Sequence, residues 1–154
     1  MTITQDDQRS AIVKEAESWL GTKYVGWSCV KGPKGGVDCA QLIYGTFRNC
    51  GLIPVITDLP KDYPLNIGAH RASTLYIDLV LRYFREIPEA EVKPGDIVVW
   101  QLVNSLAYCH GGIVINWPDH FVHAYGDRVK SCSARHRLLF ERSHKKFFTR
   151  KESV

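Results

Sequence analysis

Apolar residues recur at helical spacing in three parts of the chain. The first amphipathic segment runs from Asp7 to Leu20 and stops before Gly21; the second runs from Cys39 to Cys50 and stops before Gly51. A third helix is predicted from Ala72 to Arg85. The residues expected to face the core in these helices are Ile12, Val13, Ala16, Trp19, Leu20, Leu42, Ile43, Phe47, Leu75, Leu79, Val80, and Tyr83 or Phe84.

After the turn signal Pro94-Gly95-Asp96 the pattern changes to strands. The extended segments expected there are Ile97 to Leu102, Gly111 to Asn116, Phe121 to Tyr125, Val129 to Ser133 and Lys146 to Thr149. Helices followed by an antiparallel sheet are typical of an α+β domain, and the 154 residues are sized for one domain spanning 1–154.

The five cysteines are odd in number and irregular in spacing, which argues against a disulfide framework. Paired zinc ligands such as C-x-x-C are missing, so neither a metal nor another cofactor is expected. The acidic N-terminus does not have the pattern of a secretory signal peptide, and no apolar run is long enough to span a bilayer. We therefore expect synthesis in the cytoplasm, with a specialised route or a virion carrying the protein to any target outside the cell.

Basic residues gather late in the chain and give a formal net charge of +4. A solvated basic surface explains them, and the alternative is weak attraction to an anionic polymer. Because RNA-binding motifs are missing, no nucleic-acid partner is expected, and no membrane partner either.

Cys39 is the first candidate for chemistry, because it falls in the first turn of the second predicted helix with Asp38 as N-cap. The N–H groups at a helix start favour a thiolate and can also donate to an oxyanion. The bland alternative is a small buried hydrophobe.

His110 begins a predicted strand in which the following glycines, Gly111 and Gly112, are expected to leave its ring uncovered. If Asn116 to Asp119 forms a hairpin loop, Val114 pairs with Phe121 and Gly112 with His123. His110 and His123 then share a sheet face, where His123 could orient His110 as a general base for Cys39. A one-residue change of register would separate them. The other histidines, His70, His120, His136 and His144, are interpreted as surface residues.

Several motifs together resemble the NlpC/P60 cysteine peptidases over most of the chain. In order, they are Trp19 to Tyr24, Gly35 to Leu42, Pro94 to Val98, His110 to Ile113 and Phe121 to Ala124. The long insertion between the second helix and the sheet is similar to the phage-type branch of that family.

This resemblance implies a papain-like α+β fold and hydrolysis of an amide in peptidoglycan stem peptides, commonly next to D-glutamate. Cys39, His110 and His123 match the triad. Tyr24 matches the tyrosine near the oxyanion site, and Asp38 the acidic residue that holds the substrate's amino end in some members. Ala40 departs from the family's serine, which bears on that substrate preference.

Two alternatives remain open at this point. The same triad could serve an acyltransferase or an esterase, or the chain could be a non-catalytic phage tail or assembly protein, with tail or secretion-apparatus proteins as partners. The proline-rich stretch from Leu52 to Arg71 is either a lid, with Tyr63 as a contact, or a passive loop.

Overall fold

The computed structural model describes residues 2–60, 74–102, 105–135 and 137–152. Within these ranges, the three longer helices pack on one face of a six-stranded antiparallel sheet. No helix in these ranges has the length and apolar character to cross a membrane. The expected α+β class is confirmed.

Two capped helices lead into the site. Helix α1 (Gln5–Glu17) begins with a capping box in which Thr4 and Asp7 bond reciprocally. Helix α2 (Cys39–Asn49) begins at the N-cap Asp38, whose carboxylate accepts the N–H of Gln41, and it ends before Gly51, where φ is +68°. Cys39 is therefore the first residue of α2, as predicted.

The main sheet follows the order β3-β8-β4-β5-β6-β7. Its strands are β3 (Phe84–Ile87), β4 (Ile97–Gln101), β5 (His110–Asn116), β6 (His120–Tyr125), β7 (Arg128–Cys132) and β8 (His144–Arg150). Two shorter strands, β1 (Cys29–Val30) and β2 (Gly36–Val37), form a separate ribbon in the glycine-rich loop before α2.

Strand alternation separates two apolar clusters. On the face that packs against α2, Ile113 and Val122 form one cluster with Leu42 and Phe47 of that helix. The opposite face carries a second cluster whose buried aromatic members are Trp100, Phe121, Phe140 and Phe147. The sheet thus has a helix-covered face and an aromatic face.

Several elements differ from the sequence-based expectation, among them strand β3, which was not predicted. Helix α1 ends at Glu17, and Leu20 lies in the following turn with 45% of its surface exposed. Helix α3 (Leu75–Tyr83) ends before Arg85, because the chain turns into β3 against β8. The short helix α4 (Leu138–Arg142) and the ribbon of β1 and β2 were not predicted. Each is too short to show a period.

Part of the proposed lid lies outside the described residues. Leu52 to Pro60 form an irregular segment, whereas 61–73, including Tyr63, His70 and Arg71, are not described. His136 also lies outside the description. His120 and His144 are exposed, which confirms them as surface residues.

Candidate active site

The hairpin of β5 and β6 brings His110 and His123 together. Val114 pairs with Phe121 as predicted, with an irregularity between Val114 and Asn116. His110 Nε2 lies 2.8 Å from His123 Nδ1. A Cβ on Gly112 would come within 3.3 Å of His123 Cβ, so the missing side chain leaves room for this contact.

Aromatic rings enclose the two imidazoles. Trp100 stacks on His110 at a centroid distance of 5.8 Å, and Tyr125 stacks on His123 at 5.4 Å. Phe140 of α4 contacts both imidazole rings, and the Trp100 indole N–H donates to its carbonyl. His110 is only 4% exposed, so the expectation of an uncovered ring is wrong. The cause is the surrounding aromatic side chains, which cover what the glycines leave open.

Cys39 lies against the backbone on either side of His110. Its thiol is 3.9 Å from the carbonyl oxygen of Cys109, and the N–H groups of Gly111 and Ala40 donate to its sulfur. Neither Cys39 nor His110, both described, hydrogen-bonds to the other's side chain. The structure thus joins the two histidines and places the sulfur beside the His110 main chain.

Burial keeps all three groups neutral. It raises the pKa of the Cys39 thiol to about 12. Asp38 and Cys109 raise this pKa further, whereas the N–H groups of Gly111 and Ala40 lower it. Burial lowers the pKa of His110 to about 3. Burial, then the nearby His110 and the basic side chains of Arg137 and Lys130, lower the pKa of His123 to about 2. Desolvation therefore opposes the thiolate that the N–H groups at the helix start favour, and it is the larger of the two effects on the pKa of Cys39.

Asp38 is fully buried and supports the backbone around Cys39. One carboxylate oxygen accepts the Gln41 N–H at 2.8 Å, and the other accepts the Trp27 N–H at 2.7 Å. Trp27 has a φ of +62°, a left-handed conformation that is rare for a residue with a bulky side chain. Asp38 therefore joins the start of α2 to a strained loop residue whose side chain is 47% exposed.

Tyr24 lies close to Cys39 and Asp38. Burial raises its pKa, and the proximity of Cys39 and Asp38 raises it further. Its hydroxyl therefore keeps its proton at neutral pH and can act as a hydrogen-bond donor.

Cys132 is a contact that the sequence interpretation missed. Its sulfur lies 3.2 Å from His123 Nε2, so both nitrogens of the His123 ring have partners. The signal was available in the pairing of β6 with β7, where His123 lies opposite Lys130 and Cys132 is two residues further on. In the described parts of the chain, no three His, Cys, Asp or Glu side chains are arranged to hold a metal ion.

An apolar cavity of about 90 Å³ lies between α2 and α3 and begins at Ala40, next to the nucleophile candidate. Tyr44, Ile53, Tyr76 and Val80 are among its lining residues. Cys39 itself does not line it, so the cavity adjoins the site and does not contain the sulfur.

Comparison of the sequence with protein-family models and with curated proteins finds no match. Solved structures do match. An NLP/P60-family protein similar to a lipoprotein, from Staphylococcus aureus, is 22% identical with a TM-score of 0.62 over 95% of this chain, which spans 42% of that protein. The NlpC/p60 domain of the peptidoglycan hydrolase SagA is 21% identical with a TM-score of 0.51, covering 90% of this chain and 96% of that one.

A third match is RipD from Mycobacterium tuberculosis, described as a non-catalytic NlpC/p60 domain protein adapted to peptidoglycan binding. It is 12% identical with a TM-score of 0.56, covering 92% of this chain and 96% of that one. At these identities the likeness concerns architecture, and catalytic and non-catalytic proteins share it. The chain has the NlpC/P60 fold.

Proposed function

We propose that this protein is a cysteine hydrolase that cleaves an amide bond in peptidoglycan stem peptides. The observation that carries the proposal is the placement of Cys39. Its sulfur lies at the start of α2 and against the Gly111 N–H, beside the main chain of His110, whose ring contacts that of His123 at 2.8 Å. In this proposal Cys39 is the nucleophile, His110 the base and His123 the group that orients the base.

His110 acts as the general base in this proposal. Because its Nε2 contacts His123, the nitrogen that takes the thiol proton is Nδ1. The Cys39 sulfur attacks the amide carbonyl carbon as the proton moves. The hydrogen bond between the Cys39 thiol and His110 Nδ1 that this step needs is not formed in the structure, and in the proposal it forms when substrate binds.

The tetrahedral intermediate carries a negative oxygen that needs donors. The backbone N–H of Cys39 at the start of α2 supplies one, and the protonated hydroxyl of Tyr24 assists. His110 then gives its proton to the leaving amine nitrogen as the C–N bond breaks, which leaves a thioester on Cys39. Water, deprotonated by His110, attacks the thioester; the C–S bond breaks and the thiol regains its proton.

The substrate assignment draws on two kinds of support. SagA is named a peptidoglycan hydrolase and RipD a peptidoglycan-binding protein, and both share this fold. The motif resemblance adds a bond next to D-glutamate. The phage-type branch, delivery by a specialised route or a virion, and tail or secretion-apparatus partners stay predictions.

Purified peptidoglycan incubated with the protein tests the proposal, with released fragments identified by mass spectrometry. Wild type should release stem-peptide fragments, and Cys39→Ala should release none while unfolding at the same temperature. Cys29→Ala, which removes another partly buried thiol, is the matched control and should keep full activity. Activity retained in Cys39→Ala would rule out the nucleophile. Digestion in ¹⁸O-water distinguishes hydrolysis from acyl transfer, because only hydrolysis labels the new carboxylate.

Binding without cleavage is the second candidate, and the buried imidazoles with their lowered pKa values favour it. RipD provides a precedent on this fold. One sedimentation assay with insoluble peptidoglycan distinguishes binding from hydrolysis. A binding protein sediments equally as wild type and as Cys39→Ala and releases no fragments, whereas the hydrolase releases fragments only as wild type.

A further inference from the structure

Cys132 completes a chain of contacts that begins at His110. Its sulfur is 3.2 Å from His123 Nε2, and His123 Nδ1 is 2.8 Å from His110 Nε2. His123 has no exposed surface, so its ring nitrogens depend on protein partners. Cys132 lies on β7 opposite Phe121, on the aromatic face of the sheet that both imidazoles share.

We propose that Cys132 is a positioning residue that selects the tautomer of both histidines. This inference rests on the proposed function, because it concerns which nitrogen of His110 is free to accept a proton. Two arrangements of hydrogens fit the same distances. They differ in whether the Cys132 sulfur accepts a hydrogen bond or donates one.

When the sulfur accepts a hydrogen bond from His123, the hydrogens on both imidazoles are arranged as catalysis requires. His123 then carries its proton on Nε2 and its Nδ1 accepts a hydrogen bond from His110 Nε2–H. The His110 proton is on Nε2, and Nδ1 has a lone pair for the Cys39 thiol. The sulfur thus performs, one residue further out, the orienting task that a carboxylate performs in other triads.

When the Cys132 thiol donates a hydrogen bond to His123 Nε2, the hydrogen bond between the two imidazoles reverses direction. His123 Nδ1–H then donates to His110 Nε2, and the His110 proton moves to Nδ1, where it blocks proton transfer from Cys39. An imidazole N–H is a stronger donor than a thiol, which favours the first arrangement. Removing the sulfur leaves the buried Nε2 without its partner and removes the preference between the two tautomers.

A structural role for Cys132 would need only its volume. Alanine removes the sulfur, whereas serine keeps an oxygen that can accept the same N–H with little change of size. Cys50, partly buried at the C-terminal end of α2, offers a matched control, since its sulfur does not contact either imidazole. A pure volume effect would leave the tautomers of both histidines unchanged in the two variants, whereas tautomer selection changes them in Cys132→Ala and keeps them in Cys132→Ser.

The experiment combines nitrogen-15 NMR of the histidine rings with steady-state kinetics on purified peptidoglycan fragments. In wild type and in Cys50→Ala, both imidazoles should be protonated on Nε2. Cys132→Ala should give a mixture of tautomers at His123 and a kcat about 10-fold lower or more, with KM within twofold and an unchanged thermal unfolding temperature. Cys132→Ser should restore most of kcat and the Nε2–H tautomer.

Unchanged tautomers in Cys132→Ala would overturn the inference, as would a wild-type kcat in that variant. The NMR measurement needs no substrate. If the wild type turns over no peptidoglycan, the proposed hydrolase function fails, while the tautomers still decide whether Cys132 positions His123.

Discussion

Replacing Asp38 tests whether this carboxylate acts through structure or through substrate. The side chain is fully buried, and each of its two oxygens accepts a main-chain N–H, from Gln41 at 2.8 Å and from Trp27 at 2.7 Å. The motif resemblance implies a different task, contact with the substrate's amino end. The two roles predict opposite results in measurements of stability and of KM.

The structural role has a magnitude that follows from these two bonds. A hydrogen bond to a charged acceptor contributes about 1.5–3 kcal/mol, and both main-chain N–H groups lose this acceptor when the carboxylate is removed. Asp38→Ala should therefore lower the free energy of unfolding by roughly 3–5 kcal/mol. Asp38→Asn should cost roughly half as much, because its amide oxygen can still accept from Gln41 while its NH₂ group faces the Trp27 N–H.

Thr4→Ala is the matched control, since Thr4 is the N-cap of α1 at an exposed position. Its loss should cost about 1 kcal/mol in the same urea titration. Asp38→Ala within 1 kcal/mol of Thr4→Ala would refute the structural reasoning. Wild-type stability in Asp38→Asn, with KM raised 10-fold or more and kcat retained, would instead assign Asp38 to the substrate.

Three further predictions concern the imidazole pair. Gly112→Ala should lower the free energy of unfolding by about 1–3 kcal/mol and reduce kcat, because its Cβ would lie 3.0 Å from the Val122 carbonyl oxygen. Gly111→Ala should lower the free energy of unfolding less in the same urea titration, because its Cβ meets the movable side-chain ends of Tyr76 and Ile43. His123→Ala should reduce kcat about 100-fold or more with a small change in KM, since His110 loses its orienting partner. A kcat equal to that of the wild type would contradict the triad. Burial lowers the folded-state pKa of His110 to about 3, so the unfolded chain binds this proton first as pH falls below 6.5. Stability should then decline between pH 6.5 and 5 by up to ~1.4 kcal/mol per pH unit for each buried histidine, and His110→Gln should show a shallower decline.

Much of the fold follows from periodicity in the sequence. Helix α2 and strands β4 to β8 fall within a residue or two of their predicted bounds, because each buries one continuous face. Gly112 and the turn before His120 fix the register, which made the contact between His110 and His123 predictable. Helix α4 could not be predicted, since five residues make little more than one turn and Phe140 is buried through contacts distant in sequence.

The protonation state of the site could not be predicted either. Position at a helix start is a local property, and it favours a thiolate at Cys39. Desolvation is a property of the whole packing, which brings Trp100, Tyr125 and Phe140 around His110 from three other elements. Sequence position therefore predicted the contact between His110 and His123, whereas the charges of these groups depend on side chains that no local motif includes.

The neutral state restricts how the proposed reaction can begin. With the thiol pKa near 12 and that of His110 near 3, a preformed thiolate–imidazolium pair is unfavourable by roughly 12 kcal/mol before the attraction between the two charges is counted. The described contacts do not supply that attraction, because the thiol bonds to the Cys109 carbonyl instead of the His110 ring. Proton transfer must therefore accompany attack on the substrate, with the sulfur moving from the Cys109 carbonyl toward His110 Nδ1. It follows that alkylation of Cys39 by iodoacetamide, mapped by mass spectrometry, should quicken steadily from pH 7 to 10 without a plateau, and a plateau at mildly acidic pH would show that the ion pair exists before substrate binds.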